Sequence, residues 1–194
     1  MLYHHAMYKE DRRMDGGIYI QKAYESILSG DFEQAIDWFD RAIEADPDNA
    51  DYHYKCSISC SRSGKWPKAL LHAEKAVGLE PGREEYRFHK RTIEAKILLI
   101  EAEKLLAEEP PQTEGALPLL RQVTELDPLS FEAFYLMGLA CAGMNRLEEG
   151  TVYAREALRL DPGHSAARTL YADLRRKQRF MRGRAGRHKR RKNR

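Results

Sequence analysis

The sequence has few cysteines and no long hydrophobic run, and both absences limit what the chain can be. Three cysteines among 194 residues, an odd number, argue against a disulfide framework of the kind that holds small secreted domains together. The longest aliphatic cluster is Ile97 to Ile100, far short of the ~20 residues that a membrane-spanning helix needs. The N-terminal residues MLYHHAMYKEDRR contain no apolar segment typical of a secretory signal. We therefore expect a cytoplasmic protein without a membrane span.

Motifs that carry catalysis are missing as well. The chain contains no phosphate-binding loop, GxGxxG, HExxH or nucleophile elbow. Carboxylates are plentiful, but on amphipathic helices charged residues usually form the solvated face. We expect no enzymatic activity and no cofactor.

Charge is distributed unevenly along the chain, although the formal net charge is only +3. Residues 175–194 contain 12 Lys and Arg and no Asp or Glu, whereas residues 1–174 contain 21 basic and 30 acidic residues, a net charge of −9. With 42% apolar residues the chain has the composition of a folded protein. Its last residues have little to bury, so we expect a disordered basic tail.

Acid-proline pairs recur along the chain at regular distances. Successive prolines of these pairs are 34, 47 and 34 residues apart, and the pairs are Asp46-Pro47, Glu80-Pro81, Asp127-Pro128 and Asp161-Pro162. A small residue stands twelve positions before each proline, at Ala35, Ala69, Ala116 and Gly150. Small residues at these points let two helices approach closely, and the proline ends the second helix. The pattern therefore predicts helix pairs.

This pattern resembles the tetratricopeptide repeat (TPR) family, whose 34-residue unit is a helix-turn-helix. The resemblance covers about residues 16–174 and implies an all-α fold, a right-handed solenoid of about four units. The expected organisation is an N-terminal segment 1–15, units near 16–49, 50–83, 84–130 and 131–164, a capping helix over 165–180 and the basic tail over 181–194. The third unit has 13 extra residues. Neither Gly nor Pro interrupts Arg83 to Glu109, so one long helix is predicted there.

In this family the first helix of each unit lines a concave groove, so the resemblance implies a binding surface for a peptide, a helix or a protein. The corresponding residues of this chain are Ile20, Tyr24, Tyr54, Ile58, Arg62, Tyr135 and Leu139. Their apolar and aromatic character favours a partner that inserts a hydrophobic segment. Some members hold an acidic C-terminus with a Lys/Asn/Arg clamp, which this chain lacks.

An alternative interpretation is that this stripe is ordinary core. The long third-unit helix could cover it, or the N-terminal residues Leu2, Tyr3 and Met7 could fold back onto it.

The function that the resemblance implies is a non-catalytic adaptor or scaffold, and the tail adds a second hypothesis. Its cations could bind a polyanion, and those expected to do so are Arg182, Arg184, Arg187, Lys189, Arg190, Arg191, Lys192 and Arg194. The partner would be RNA, a ribosome or an anionic surface, and the alternative function is that of a nucleic-acid- or ribosome-associated protein. The tail could also only offset the charge of the acidic body.

The segment HYKCSISC places His53, Cys56 and Cys60 on one face of a helix, since residues three and four apart are neighbours there. Such a trio could belong to a metal site, a redox pair or a core. A zinc site needs a fourth ligand and usually begins with close cysteines such as C-x2-C, and neither is visible. The trio and Cys141 fall on positions that pack one repeat helix against the next. We therefore expect buried, reduced thiols free of metal.

Overall fold

The computed structural model describes residues 16–192, and their side chains through residue 183. The described residues form nine helices and no strand: α1 Gly16–Leu28, α2 Phe32–Ala45, α3 Ala50–Arg62, α4 Trp66–Leu79, α5 Glu84–Ala107, α6 Thr113–Leu126, α7 Phe131–Gly143, α8 Leu147–Leu160 and α9 Ser165–Lys192. The all-α helix-turn-helix repeat fold is therefore confirmed. The N-terminal segment 1–15, with Leu2, Tyr3 and Met7, lies outside the described residues.

The chain divides into two compact units, residues 1–93 and 94–194. In the first unit α1 packs against α2, α2 against α3, and α3 against α4. In the second unit α6 packs against α7, α7 against α8, and α8 against α9. The long helix predicted between Arg83 and Glu109 is observed as α5, a helix of 24 residues whose sequence belongs partly to each unit. No helix in the described part of the chain combines the length and apolar character that crossing a membrane requires.

Three turns between paired helices share one backbone conformation. Gly30, Gly64 and Asn145 have positive φ angles of 80°, 71° and 58°. The next residue then donates its N–H to a carbonyl of the preceding helix, as Lys65 does to Cys60 at 2.9 Å. A left-handed residue after a helix end satisfies the last carbonyls and turns the chain back, and glycine adopts this conformation without strain. These turns set the short connections α1–α2, α3–α4 and α7–α8.

The acid-proline pairs end the second helix of each hairpin, as their spacing predicted. The acid is the C-cap residue in all four cases, and its backbone N–H donates to the carbonyl four residues earlier. The following proline cannot continue the helix, because its ring clashes with the preceding turn. Polar N-cap residues begin several of the helices, for example Ser130, whose Oγ accepts from the N–H of Ala133 at 3.3 Å.

The recurrent small residues are buried where helices contact each other. Ala35, Ala69, Ala116 and Ala157 are fully buried, and so is the larger Val123, five residues before the third proline. In the second unit, α5, α6 and α7 share a core that includes Leu99, Leu120 and Met137. The first unit buries Ile36, Phe39 and Tyr86.

The last helix is longer than the capping helix expected over 165–180. The backbone of α9 remains helical to Lys192, which corrects both the boundary at residue 180 and the disorder expected over 181–192. The physical reason is composition, because Arg, Lys, Gln and Met favour helix, and two glycines cost only about 1 kcal/mol each where no proline interrupts. Leu174 is buried against α8 and Leu170 packs beside it, as expected for a cap.

Candidate protein-binding surface

Tyr24 on α1 is the most exposed aromatic residue among the predicted groove positions. It exposes 42% of its surface. Its ring meets Phe39 edge-to-face at 6.4 Å between centroids, and Nζ of Lys55 lies 5.3 Å from its centroid. Ile20, one turn earlier on α1, is half-buried. The aromatic ring is thus held in place on one side while part of its surface is open to solvent.

Tyr54 on α3 is half-buried, and α5 covers part of it. Its ring lies 4.7 Å from that of Tyr86 and meets His89 edge-on at 5.3 Å. Its hydroxyl donates to Oε1 of Glu85 at 2.9 Å. Burial, together with this hydrogen bond, raises the pKa of Tyr54 to about 12. These contacts agree with the alternative interpretation, in which the long helix covers the stripe, because α5 packs on the ring of Tyr54 and its Glu85 accepts the hydroxyl hydrogen.

The two other predicted positions of α3 differ in exposure. Ile58 is half-buried, whereas Arg62 is exposed at the end of the helix. The guanidinium carbon of Arg62 lies 5.5 Å from the ring centroid of Phe32, the first residue of α2. This stacking brings Arg62 to the start of α2.

In the second unit, Tyr135 belongs to an aromatic cluster on α7. It stacks on Phe131 at 5.8 Å with an interplanar angle of 10°, and His164 lies 5.4 Å from it and 4.5 Å from Phe131. Leu139, one turn further along α7, exposes 40% of its surface. The sequence reasoning missed Phe131 and His164. These two residues are about one repeat apart in the sequence. This spacing could have indicated their contact, since equivalent positions of successive units lie side by side in a repeat stack.

A shallow apolar pocket lies at the start of α8 and the middle of α9. Its volume is about 330 Å³, and its lining is Asn145, Leu147, Arg176, Lys177, Phe180 and Met181. Gln178 on α9 donates to the carbonyl of Leu147 at 2.8 Å and to Oγ1 of Thr151 at 2.9 Å, which fastens α9 beside α8. Phe180 at this pocket is largely exposed.

The basic tail is described only in part. Arg182 donates to Oε1 of Glu148 at 3.3 Å, and both side chains are highly exposed. A pair of this kind contributes little, because solvent screens it. Arg194 lies wholly outside the described residues. Six other predicted cations belong to α9 by their backbone, but their side chains lie outside the described residues: Arg184, Arg187, Lys189, Arg190, Arg191 and Lys192.

The three cysteines are free and fully buried, as predicted from their repeat positions. Burial raises the pKa of Cys141.

Paired antiparallel helices of similar length, with small residues at the crossings and an acid-proline stop after each pair, define a helix-hairpin repeat protein. A model of the family described as TPR repeat matches residues 25–57, and one described as tetratricopeptide repeat matches residues 112–165. The matched segments, residues 25–57 and 112–165, are thus similar to tetratricopeptide repeats.

Solved structures with a similar fold include several proteins called MamA. MamA 41-end from Desulfovibrio magneticus RS-1 is 21% identical, with a TM-score of 0.48 and coverage of 84% of this chain and 85% of that chain. MamA AMB-1 is 18% identical, with a TM-score of 0.48 and coverage of 84% and 82%. YrrB, described as a TPR protein with an unusual peptide-binding site, is 21% identical, with a TM-score of 0.46 and coverage of 92% and 84%. No curated protein sequence matches the chain.

Proposed function

We propose that this chain is a non-catalytic cytoplasmic adaptor that binds a hydrophobic peptide or helix of a protein partner on the first helices of its repeats. The observation that carries the proposal is the partial exposure of apolar side chains on these helices, Tyr24 on α1 and Leu139 on α7. Tetratricopeptide repeats offer an extended surface, and binding of a protein or peptide is the general function that such a surface supports.

The surroundings of Tyr24 suit a contact residue. Its ring is held by Phe39 and by the Lys55 ammonium, so little side-chain entropy remains to be lost on binding. Tyrosine adds a large contact area and a hydroxyl that tolerates water. Ile20 lies on the same helix face and would extend the contact.

On α7 the proposed contact residues are Leu139 and Tyr135. Tyr135 is held by stacking on Phe131 and by His164, while Leu139 presents an aliphatic side chain one turn away. In the first unit, Tyr54, Ile58 and Arg62 are proposed for the margin of the surface. The Tyr54 hydroxyl already donates to Glu85, so a partner would meet mainly the edge of its ring.

A displayed library of random peptides, selected on the full chain, tests this function. Tyr24→Ala should weaken peptides that bind the first unit, and Leu139→Ala peptides that bind the second, each by roughly tenfold or more, because anchors of this kind contribute about 2 kcal/mol. The matched controls are Leu71→Ala on α4 and Val152→Ala on α8, exposed aliphatic residues on second helices. Unchanged binding in the first pair of variants, or equal loss in the controls, would place the binding surface elsewhere.

A second candidate function is binding of a nucleic acid through α9. The backbone helix continues through the basic segment to Lys192, so its basic residues follow one helix. Arg175, Arg176, Lys177, Arg179 and Arg182 are all exposed. Such an array neutralises phosphates without reading sequence.

A further inference from the structure

Three helices of the first unit bring metal-ligating side chains of different chemistry together. Asp40 on α2, Cys56 on α3 and His72 on α4 each offer one ligand atom, and these atoms all lie within 4.8 Å of one another. Oδ1 of Asp40 is 3.9 Å from Sγ of Cys56 and 3.8 Å from Nε2 of His72. Cys56 and His72 are buried, while Asp40 is half-buried at the margin. The chain therefore collects a carboxylate, a thiol and an imidazole from three successive helices.

A fourth donor lies one turn further along α3. Sγ of Cys60 is 4.0 Å from Sγ of Cys56, and both thiols are fully buried. The S–H of Cys56 faces both Sγ of Cys60 and Oδ1 of Asp40, which lies 3.9 Å away. Metals bind the thiolate form of cysteine, so an ion held here would displace the protons of both thiols.

Hydrogen bonds on the far side of His72 determine its tautomer. Nε2 of His53 lies 3.0 Å from the carbonyl oxygen of Pro47, an acceptor only, so this nitrogen carries the hydrogen. In the neutral ring Nδ1 of His53 is then an acceptor, and Nδ1 of His72, 3.0 Å away, must donate to it. Nε2 of His72 is left with its lone pair directed toward Asp40. Metal-binding histidines are usually oriented in this way, by a hydrogen bond from the other ring nitrogen.

The lone pair of His72 faces a second Lewis base. The tautomer that His53 imposes places no hydrogen on Nε2 of the neutral His72 ring. Nε2 and Oδ1 of Asp40 therefore face each other across 3.8 Å with no hydrogen between them. The other carboxylate oxygen, Oδ2, binds Nζ of Lys68 at 2.5 Å, whereas Oδ1 faces the weak S–H donor of Cys56 at 3.9 Å, whose proton an ion would displace. A cation between these atoms would satisfy both.

We propose that Asp40, Cys56, Cys60 and His72 form a structural site for Zn²⁺ or another thiophilic divalent cation. Zinc lies ~2.0–2.3 Å from such ligands in tetrahedral sites, so the ligand atoms would be roughly 3.3–3.8 Å apart. The distances among Asp40, Cys56 and His72, and the distance between the two thiols, exceed this by about 1 Å or less, a change within the reach of side-chain rotation. The charges of the ion and of Lys68 together balance two thiolates and one carboxylate.

This inference revises the expectation of metal-free thiols. His53, which the sequence places beside the cysteines, is a positioning residue here, and the ligands that complete the site come from α2 and α4. An ion bound in this way would connect three helices of the first unit, and its binding would release the two thiol protons.

Titration of the untagged, reduced chain with Co²⁺ and Zn²⁺ tests the site. We expect one ion per chain, thiolate-to-cobalt charge-transfer absorption, and a zinc-dependent rise in melting temperature. Cys56→Ser and His72→Gln should abolish stoichiometric binding, and Cys60→Ser and Asp40→Asn should weaken it at least tenfold. His53→Ala should weaken it by about 10–100-fold, and His53→Gln, which retains an acceptor, should restore part of the loss.

Two controls separate this site from other metal binding. Cys141→Ser removes a buried thiol of the second unit and should bind as the wild type does. The double variant His4→Ala/His5→Ala removes the adjacent N-terminal histidines and should also bind normally. Asp40→Asn alters a half-exposed side chain and keeps the test valid if the buried variants do not fold. Absence of one-to-one binding at micromolar metal, retention of binding in Cys56→Ser or Asp40→Asn, or loss with His4 and His5 would overturn the proposal.

Discussion

The backbone of Gly150 in α8 approaches Cys141 in α7 so closely that a Cβ on the glycine would lie 3.2 Å from the Cβ of the cysteine. The same Cβ would lie 3.3 Å from the carbonyl oxygen of Gly138. Neither of these neighbours is the end of a flexible side chain. The close packing of α7 on α8 therefore depends on glycine at position 150, which has no Cβ.

We predict that Gly150→Ala lowers the free energy of unfolding by roughly 1 kcal/mol, because overpacking costs more than the gain in helix propensity. The matched control is Gly78→Ala on α4, where a Cβ would meet nothing within 4 Å. That variant should stabilise the protein by about 0.5–1 kcal/mol. Urea unfolding of both variants checks the prediction, and a stabilised Gly150→Ala would show that the two helices can move apart freely.

The alanines at the other helix crossings should not accept a larger side chain. Ala35→Leu, Ala69→Leu and Ala157→Leu each insert a branched side chain at a fully buried position, with an expected loss of ~1–3 kcal/mol. Melting temperatures measured by circular dichroism provide the test. The control for the substitution itself is Ala45→Leu, because Ala45 is exposed at the end of α2. Wild-type melting temperatures for all three buried variants would contradict the packing described here.

The stability of the metal-free chain should fall as the pH is lowered through the range set by His72. Its ordinary pKa is 6.5 and its pKa in the folded chain is about 4. Below pH 6.5 the unfolded chain takes up a proton that the folded chain does not, so stability decreases until about pH 4 and the contribution is then fully lost. The expected loss is roughly 3 kcal/mol.

Chemical unfolding at several pH values, with a chelator present, measures this contribution as the difference between the wild type and His72→Gln. The groups that face His72 are His53, Asp40 and Lys68. Burial also lowers the pKa of His89, so protonation of His89 at low pH reduces the stability of both proteins and cancels in their difference. Identical pH profiles for the two proteins would exclude His72 as the source.

RNA binding by the basic segment should depend steeply on salt. If about six of its cations meet phosphates, the slope of log affinity against log salt concentration should be near −5. Removal of residues 184–194 should make the slope much shallower. The truncated chain retains Gln178, whose hydrogen bond to Leu147 holds α9 against α8. Binding that is independent of salt, or none at low salt, would instead favour a tail that only balances the acidic body.

Local features of the chain could be predicted because each depends on a few consecutive residues. The acid-proline pairs end helices through the geometry of one ring, as their spacing predicted. The segment after Arg83 folds as one long helix because no glycine or proline interrupts it. The length of α9 was misjudged because a basic composition was taken as evidence of disorder, although its residues favour helix.

The candidate surface could be predicted only in outline. The repeat register identified Tyr24 and Leu139, which remain partly exposed. It did not show that Glu85 accepts the hydroxyl hydrogen of Tyr54, or that His164 packs on Tyr135, since each contact joins residues of different helices.

The sequence by itself determined that this chain is an all-α helix-hairpin repeat protein, because spacing, small residues and proline stops act within one unit or between adjacent helices. Only the tertiary structure decided which polar groups meet. Cys56 and Cys60 are visible as a pair in HYKCSISC, but Asp40 and His72 join them because α2, α3 and α4 pack side by side. The physical reason is that helix formation depends on neighbours in the chain, whereas ligand distances depend on how the small residues at the crossings let the helices pack.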